Sequence, residues 1–414
     1  MIASTSLVGS LSATPAAAYQ DRIGDLIAGR TADAPELAGV ALVVADRKRV
    51  RRAAAWGRAV IDAAHPSRER GLTVETPVRI ASVSKVAVVI VVMRLVEAGR
   101  LDLDHDVSGW LGWRLRNPAF PDSPLTLRQL LSHTSGLDDA SGYSFPLGIK
   151  LQGALTPDHW SAAPGARFSY ANINFGVIAT VLEAATGMRF DRLMTQQLFA
   201  PLDMNACFNW SGCTAGTAAQ AAVLYRKGID QTAWQPGGPW VAQIDAAPLP
   251  CPVRAPSGCD LGGYRPGDNG TLFSPQGGMR ITMSDLAKLG QLLLRGGEIG
   301  GVRLLQPASV DAMLTPVWLG GPSGETYAGL MQCYGLSMQC LVGGRDRLIR
   351  DRPARLWGHL GEAYGLYSGL WIDRERRRVY AYAITGVGDD PHHYPAAGTA
   401  FTAIEQAVAT EAAR

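Results

Sequence analysis

Arg79-Ile-Ala-Ser82-Val-Ser-Lys85, followed by Val86-Ala-Val-Val-Ile-Val-Val-Met93, is the stretch on which the fold turns. Ser82 and Lys85 are three residues apart, the spacing that puts two side chains on one face of a helix. Val86 to Val96 is apolar nearly all round, Arg94 excepted, which predicts a helix buried on most sides rather than an amphipathic surface one. The run is too long for a strand despite its β-branching, and Gly99-Arg100 reads as the helix stop. A hydroxyl and an amine are therefore expected in the first turn of a central helix. There the helix dipole favours an alkoxide, and a lysine short of water has its pKa lowered and can relay a proton. The same spacing also fits a helix-capping serine beside a surface lysine. An unpaired charge bordering an apolar run is costly, which argues against that alternative.

Outward from this helix, Ile23, Leu26 and Ile27 give Tyr19 to Arg30 a helical spacing. Gly39 to Ala45 reads as a strand, Asp46-Arg47-Lys48-Arg49 as its turn and Val50 to Trp56 as its hairpin partner. Leu125 to Leu131 is a helix opened by Thr126. His133, among hydroxyls at its end, reads as a locally hydrogen-bonded structural residue. Phe168-Ser-Tyr170-Ala-Asn172-Ile-Asn174 leads into a helix ending at Thr186-Gly187, with another from Phe190 to Leu198. Asn174 suits helix capping, whereas Tyr170 and Asn172 are expected as an exposed phenol and amide on the preceding loop. Thr282-Met-Ser-Asp285 resembles a capping box for a helix running to Gly296-Gly297. Arg355 to Gly361, Leu366 to Ile372 and Arg378 to Thr385 read as consecutive strands, closed by a helix from Ala400 to Ala413. The expected fold is α/β (α+β): an antiparallel sheet built from N- and C-terminal segments, helices on both faces, and an inserted, mostly helical subdomain. Residues 19–414 read as one domain, with the α/β part at about 19–100 and 275–414 and the insert at about 101–274.

With 414 residues, 47% hydrophobic and 18% charged, the chain is long enough for a large core and has an ordinary globular composition. Lys+Arg 39 against Asp+Glu 36 is nearly balanced. No basic block alternates with aromatics, so nucleic acid is not an expected partner, and no integral membrane segment is expected. Arg374-Glu-Arg-Arg-Arg378 lies between two strands and reads as a solvated hairpin turn. The six cysteines fall into close pairs, Cys207 with Cys213, Cys251 with Cys259 and Cys333 with Cys340. None has metal or redox spacing, and local pairing is the simplest of about fifteen connectivities. Such pairing implies an oxidising compartment. Residues 1–18 are small and apolar and end in Pro15-Ala-Ala-Ala18, a signal-like segment without a basic start. A periplasmic or secreted protein is expected. Cys207 to Thr271 reads as a long excursion pinned by two disulfides, a lid or binding wall. His392-His393 lack a third ligand and read as loop residues, so no metal or cofactor is expected.

Three separated elements, Ser82-Val-Ser-Lys85, Tyr170-Ala-Asn172 and His359-Leu-Gly361, resemble the serine β-lactamase and penicillin-binding-protein superfamily. The resemblance is to its class C-like branch: AmpC-type β-lactamases, D-alanyl-D-alanine carboxypeptidases, D-aminopeptidases and family VIII carboxylesterases. It implies acyl transfer through a covalent ester on Ser82, with Lys85 and Tyr170 handling the proton. It further implies a Tyr170 whose pKa neighbouring positive charge lowers, so that it acts as the base. Asn172 would orient Lys85 and the substrate amide, and the N–H groups of Ser82 and Glu362 would hold the oxyanion. The third motif departs from the usual Lys-Thr-Gly: His359 replaces the cation, Leu360 the hydroxyl, and Glu362 follows Gly361. These changes weaken recognition of a small substrate by its carboxylate at that position. The implied activity is that of an exported serine hydrolase acting on a small-molecule or peptide substrate. It is either a peptidase or amidase on unusual or D-residue-containing peptides, or a carboxylesterase, for which Leu360 and the tryptophans would supply an apolar acyl pocket. The alternatives are a class C-like β-lactamase or D-alanyl-D-alanine carboxypeptidase, and a non-catalytic binding module.

Overall fold

The computed structural model describes residues 22–30, 36–231, 234–243, 251, 253–255, 259–321, 326–388 and 396–414. The signal-like segment and His392-His393 lie outside them. The strands used below are β1 (Gly39–Asp46), β2 (Val50–Val60), β3 (Arg70–Gly71), β4 (Val78–Arg79), β5 (Ala206–Phe208) and β6 (Met279–Ile281). They continue with β7 (Trp318–Leu319), β8 (Cys333–Tyr334), β9 (Gln339–Leu341), β10 (Leu356–Ala363), β11 (Leu366–Asp373) and β12 (Arg378–Thr385). Nine of them form one antiparallel sheet in the order β7-β8-β9-β10-β11-β12-β1-β2-β3. The first hairpin thus joins the last strands through β1 and β12, with Gly39 opposite Thr385 and Asp46 opposite Arg378. A smaller sheet, β4-β6-β5, stands beside the central helix.

Alternation along the strands builds two cores at once. Ala41, Val43 and Ala45 of β1, with Val379, Ala381 and Ala383 of β12, face helices α2 (Ser84–Glu97) and α6 (Met283–Leu294). Val40, Leu42 and Val44, with Tyr380, Tyr382 and Ile384, face α1 (Arg22–Ile27) and α7 (Ala403–Ala413). This is a helix–sheet–helix sandwich, and it explains why all eight residues of β1 are buried. Gly290 lets α6 lie close on the sheet, since a Cβ there would come within 2.4 Å of Val379.

The apolar run after Lys85 is helical and buried throughout from Ser84 to Met93. Each fully buried Val or Ile contributes roughly 1.5–3 kcal/mol. Gly99, at φ +67°, follows the helix end as expected. The middle of the chain supplies α3 (Leu127–Leu131), α4 (Ile173–Thr186) and α5 (Phe190–Met194). Thr126 forms a full capping box with Gln129. Thr282 makes half of one: it accepts from the Asp285 N–H, while the Asp285 carboxylate turns to the Asn205 N–H and Lys288. All three local disulfides are formed. Among the described residues no helix is long and apolar enough to cross a membrane.

Candidate active site

Ser82 sits one turn earlier than its spacing predicts. It lies in a 3-10 turn, Ala81–Val83, between β4 and α2. A 3-10 turn nearly eclipses residues i and i+3, so the pairing with Lys85 survives. Ala81 has φ +45°, a left-handed backbone that costs a residue with a Cβ about 1–2 kcal/mol. Ser84 clamps this strained elbow: its buried hydroxyl donates to the Ala81 carbonyl at 2.6 Å and accepts from the Met279 N–H at 3.0 Å.

Lys85 is fully buried; its Nζ shares a hydrogen bond with Ser82 Oγ (2.9 Å) and donates to Asn172 Oδ1 (3.0 Å) and the Gln276 carbonyl (2.8 Å). Burial pushes its pKa well below the ordinary lysine value, and the Asp139 carboxylate pulls the other way. The Tyr170 hydroxyl is close enough to Ser82 for that side chain to offset part of its burial, and the ring centroid lies 4.9 Å from Lys85 Nζ. The expectation of a phenol with a lowered pKa is corrected here. Burial is the largest influence on Tyr170 and pushes its pKa up, so the resting residue is a neutral phenol. Nor is Tyr170 simply exposed: it is half-buried, as is Asn172.

Three further residues set the Tyr170 side. Asp139 accepts from the Asn172 N–H (2.8 Å), the Asn172 side-chain amide (3.0 Å) and the Ile173 N–H (2.9 Å). It therefore caps α4, the place foreseen for Asn174, and turns Asn172 Oδ1 toward Lys85. His133 stacks on Tyr170 with ring centroids 4.3 Å apart. Its Nδ1 accepts from the Ala171 N–H (3.0 Å) and from Asn174 (3.1 Å). Burial, with Lys85 and His359 nearby, holds it neutral, and double acceptance at Nδ1 puts its proton on Nε2. Its structural reading holds, with the addition that what it supports is Tyr170. The Tyr327 hydroxyl bonds both the N–H and the carbonyl of Tyr170, at 3.0 and 3.3 Å. Nothing local in the sequence marks Asp139 or Tyr327, because their partners lie more than thirty positions away.

The third motif lies behind the reaction site. His359 is fully buried, bonds the Tyr334 hydroxyl at 2.8 Å and has its pKa lowered to about 3, chiefly by burial. It is a neutral support and does not line the cleft. Gly361 is required by packing: a Cβ would lie 2.4 Å from the Ile80 carbonyl and from Ser368 Oγ. Glu362 lines the cleft, a cavity of about 350 Å³ shared by Ser82, Asn172, Asp139, Tyr143, Arg79 and Arg254. Among the described residues no tryptophan and no Leu360 lines it; Leu360 packs with Phe168, Trp318, Met331 and Tyr334, the apolar cluster that Tyr170 also touches.

Residues 26–403 match the family model described as Beta-lactamase. The chain is 32% identical over 211 residues to Esterase EstB of Burkholderia gladioli, an alignment covering 46% of this chain and 51% of that one. It is 29% identical over 138 residues to the D-alanyl-D-alanine-carboxypeptidase/endopeptidase AmpH of Escherichia coli K12, covering 31% and 36%. The chain thus spans about a third to a half of the length of these curated relatives. Among solved structures it resembles EstCE1, a hydrolase with promiscuous acyltransferase activity, with a TM-score of 0.64 at 23% identity, covering 94% of this chain and 95% of that one. With the fold and the extent of the family match taken together, the chain belongs to the beta-lactamase family of serine hydrolases.

Proposed function

We propose that this protein is an extracytoplasmic amidase or peptidase that works through an acyl-enzyme on Ser82. The observation that carries the reading is a fully buried Lys85 amine 2.9 Å from Ser82 Oγ, with the Tyr170 ring 4.9 Å from that amine. Burial disfavours charge on both groups, so a free amine beside a neutral phenol is the resting state. Lys85 is then the base. Ser82 Oγ attacks the carbonyl as its proton passes to Lys85 Nζ, and the oxyanion rests on the Ser82 and Glu362 N–H groups. The Tyr170 hydroxyl gives its proton to the leaving nitrogen and regains one from Lys85. Water repeats the sequence to release the acid.

A peptide-like substrate is supported by the cleft, which carries two guanidinium and two carboxylate side chains. It is supported also by the β10 edge. β9 pairs with β10 only as far as Gly358, so beyond it the backbone facing the cleft has no strand partner on that side among the described residues. An extended substrate can add there as a strand. The neutral, buried His359 argues against recognition of a substrate carboxylate at that position. Kinship with Esterase EstB favours esters as a second substrate class. The three disulfides support an oxidising compartment. The test compares D- and L-alanyl peptides, p-nitrophenyl esters and nitrocefin on wild type and Ser82→Ala, with fluorophosphonate labelling of Ser82. Peptide turnover lost in Ser82→Ala is expected. Fast nitrocefin turnover, or activity surviving in Ser82→Ala, overturns the reading.

A further inference from the structure

The chain's formal charge is only +3, but its cations are not evenly spread. Residues 46–52 carry five cations and one carboxylate, and residues 373–378 carry four cations and two carboxylates. Both segments are hairpin turns, and pairing of Asp46 with Arg378 sets them side by side at one end of the large sheet. Between the turns and the end of α7 lies a cavity of about 580 Å³ walled by Arg51, Arg52, Arg376, Arg378 and Arg414. Internal carboxylates satisfy part of this charge: Asp46 pairs with Arg51 and Arg378, and Glu411 with Arg52. Arg47, Lys48, Arg49, Arg376 and Arg377 are exposed and have no carboxylate partner among the described residues. Val50, at the tip between Arg49 and Arg51, is 48% exposed.

We propose that this end of the sheet docks on a membrane bearing anionic phospholipid. Clustered cations around an exposed aliphatic residue suit a surface of phosphate head groups over acyl chains. Single-stranded nucleic acid is disfavoured because the exposed residues of the two turns include no aromatic on which a base could stack. The geometry also gives docking a consequence. Gly361, at the reaction site, is level with Ser368, five residues up β11 from Asp373, roughly 17 Å of strand. A protein standing on its basic turns holds its reaction site about that distance from the lipid.

The full chain is sedimented with phosphatidylcholine vesicles, with and without phosphatidylglycerol, at low and high salt. Binding only to the anionic vesicles, lost at high salt, is expected. The combined Arg47→Gln, Lys48→Gln and Arg49→Gln variant should bind about a hundredfold more weakly, with Tm and hydrolytic turnover unchanged. Val50→Ser should weaken vesicle binding and leave binding of soluble polyphosphate as it was. Equal partition onto neutral vesicles, or no change in the triple variant, overturns the proposal. So does tighter binding of polyphosphate or an RNA oligonucleotide than of anionic vesicles.

Discussion

Ser82 Oγ stands between two halves of the molecule that are held by different forces. The Ser82–Lys85 half belongs to α2 and the 3-10 turn leading into it; α2 is buried on nearly every side and fixed by apolar packing. The Tyr170–Asn172 half belongs to the middle of the chain and is fixed by discrete polar contacts: Asp139 on Asn172 and Ile173, Tyr327 on the Tyr170 backbone, His133 under its ring. The first half keeps its geometry through many weak contacts and the second through a few directional ones. Substitutions should therefore separate activity from stability on the α2 side and couple them on the α4 side.

The largest expected effect is on the α2 side. Lys85→Met should lower kcat/KM by about 10^2–10^4-fold, the scale of lost proton transfer. Its Tm should move by only a few degrees, because methionine fills the same apolar space. The proposed mechanism makes the free amine the active form, so activity should rise with pH through a Lys85 pKa well below 10.5. A Lys85→Met protein that unfolds would show that the amine's hydrogen bonds hold α2, and the contrast would be lost.

A smaller effect is expected across the cleft. Asp139→Ala removes the acceptor for two backbone N–H groups and frees the Asn172 amide. Loss of the cap should cost about 1 kcal/mol, and misplacement of Asn172 about 10^2-fold in kcat. The carboxylate also raises the Lys85 pKa, so its removal should move the acid limb of the pH–rate profile to lower pH. Asp139→Asn keeps one acceptor and should lose less. If Tm falls and the limb stays in place, Asp139 is only a cap.

The same contrast explains what was legible in the sequence. The α2 side was readable because its order is local: Ser82 and Lys85 are three apart, and the apolar run declares its own burial. The two-sided core was readable in part, from the unbroken apolar runs of β1 and β12. Tyr170 and Asn172 were found through their motif, but their protonation and supports were not. The pKa of Tyr170 depends on how dry the site is, and Asp139 reaches Asn172 across 33 positions. The stretch from 207 to 271 follows no periodic pattern, so which of its residues would wall the cleft was not legible. The burial of His359 was illegible for a related reason. A strand's alternation gives the side a residue faces, but not whether Tyr334 already covers it.

The smallest expected effect tests how firmly α4 is tied to that stretch. Glu183, buried near the helix C-terminus, accepts from the Phe190 N–H (2.8 Å), the Gly267 N–H (3.0 Å) and the Tyr264 hydroxyl (2.5 Å). Burial raises its pKa from 4.5 to about 7 against the pull of those donors. Between these values the folded protein keeps a proton that the unfolded chain has released. Glu183 therefore favours folding fully at low pH, and that contribution is lost as pH rises through about 7. The loss is at most about 1.4 kcal/mol per pH unit in the window. Glu405, likewise raised to about 7 by burial, adds a second loss of the same sign. Glu183→Gln mimics the protonated acid and should leave Tm near the wild-type value at pH 5. At pH 8 it should exceed wild type by roughly 3 °C, since only the Glu405 loss remains. A Gln variant that is less stable at pH 8 would mean that the carboxylate's three hydrogen bonds outweigh its burial. That stretch would then be held to α4 by charge, as the Tyr170 side is held by Asp139.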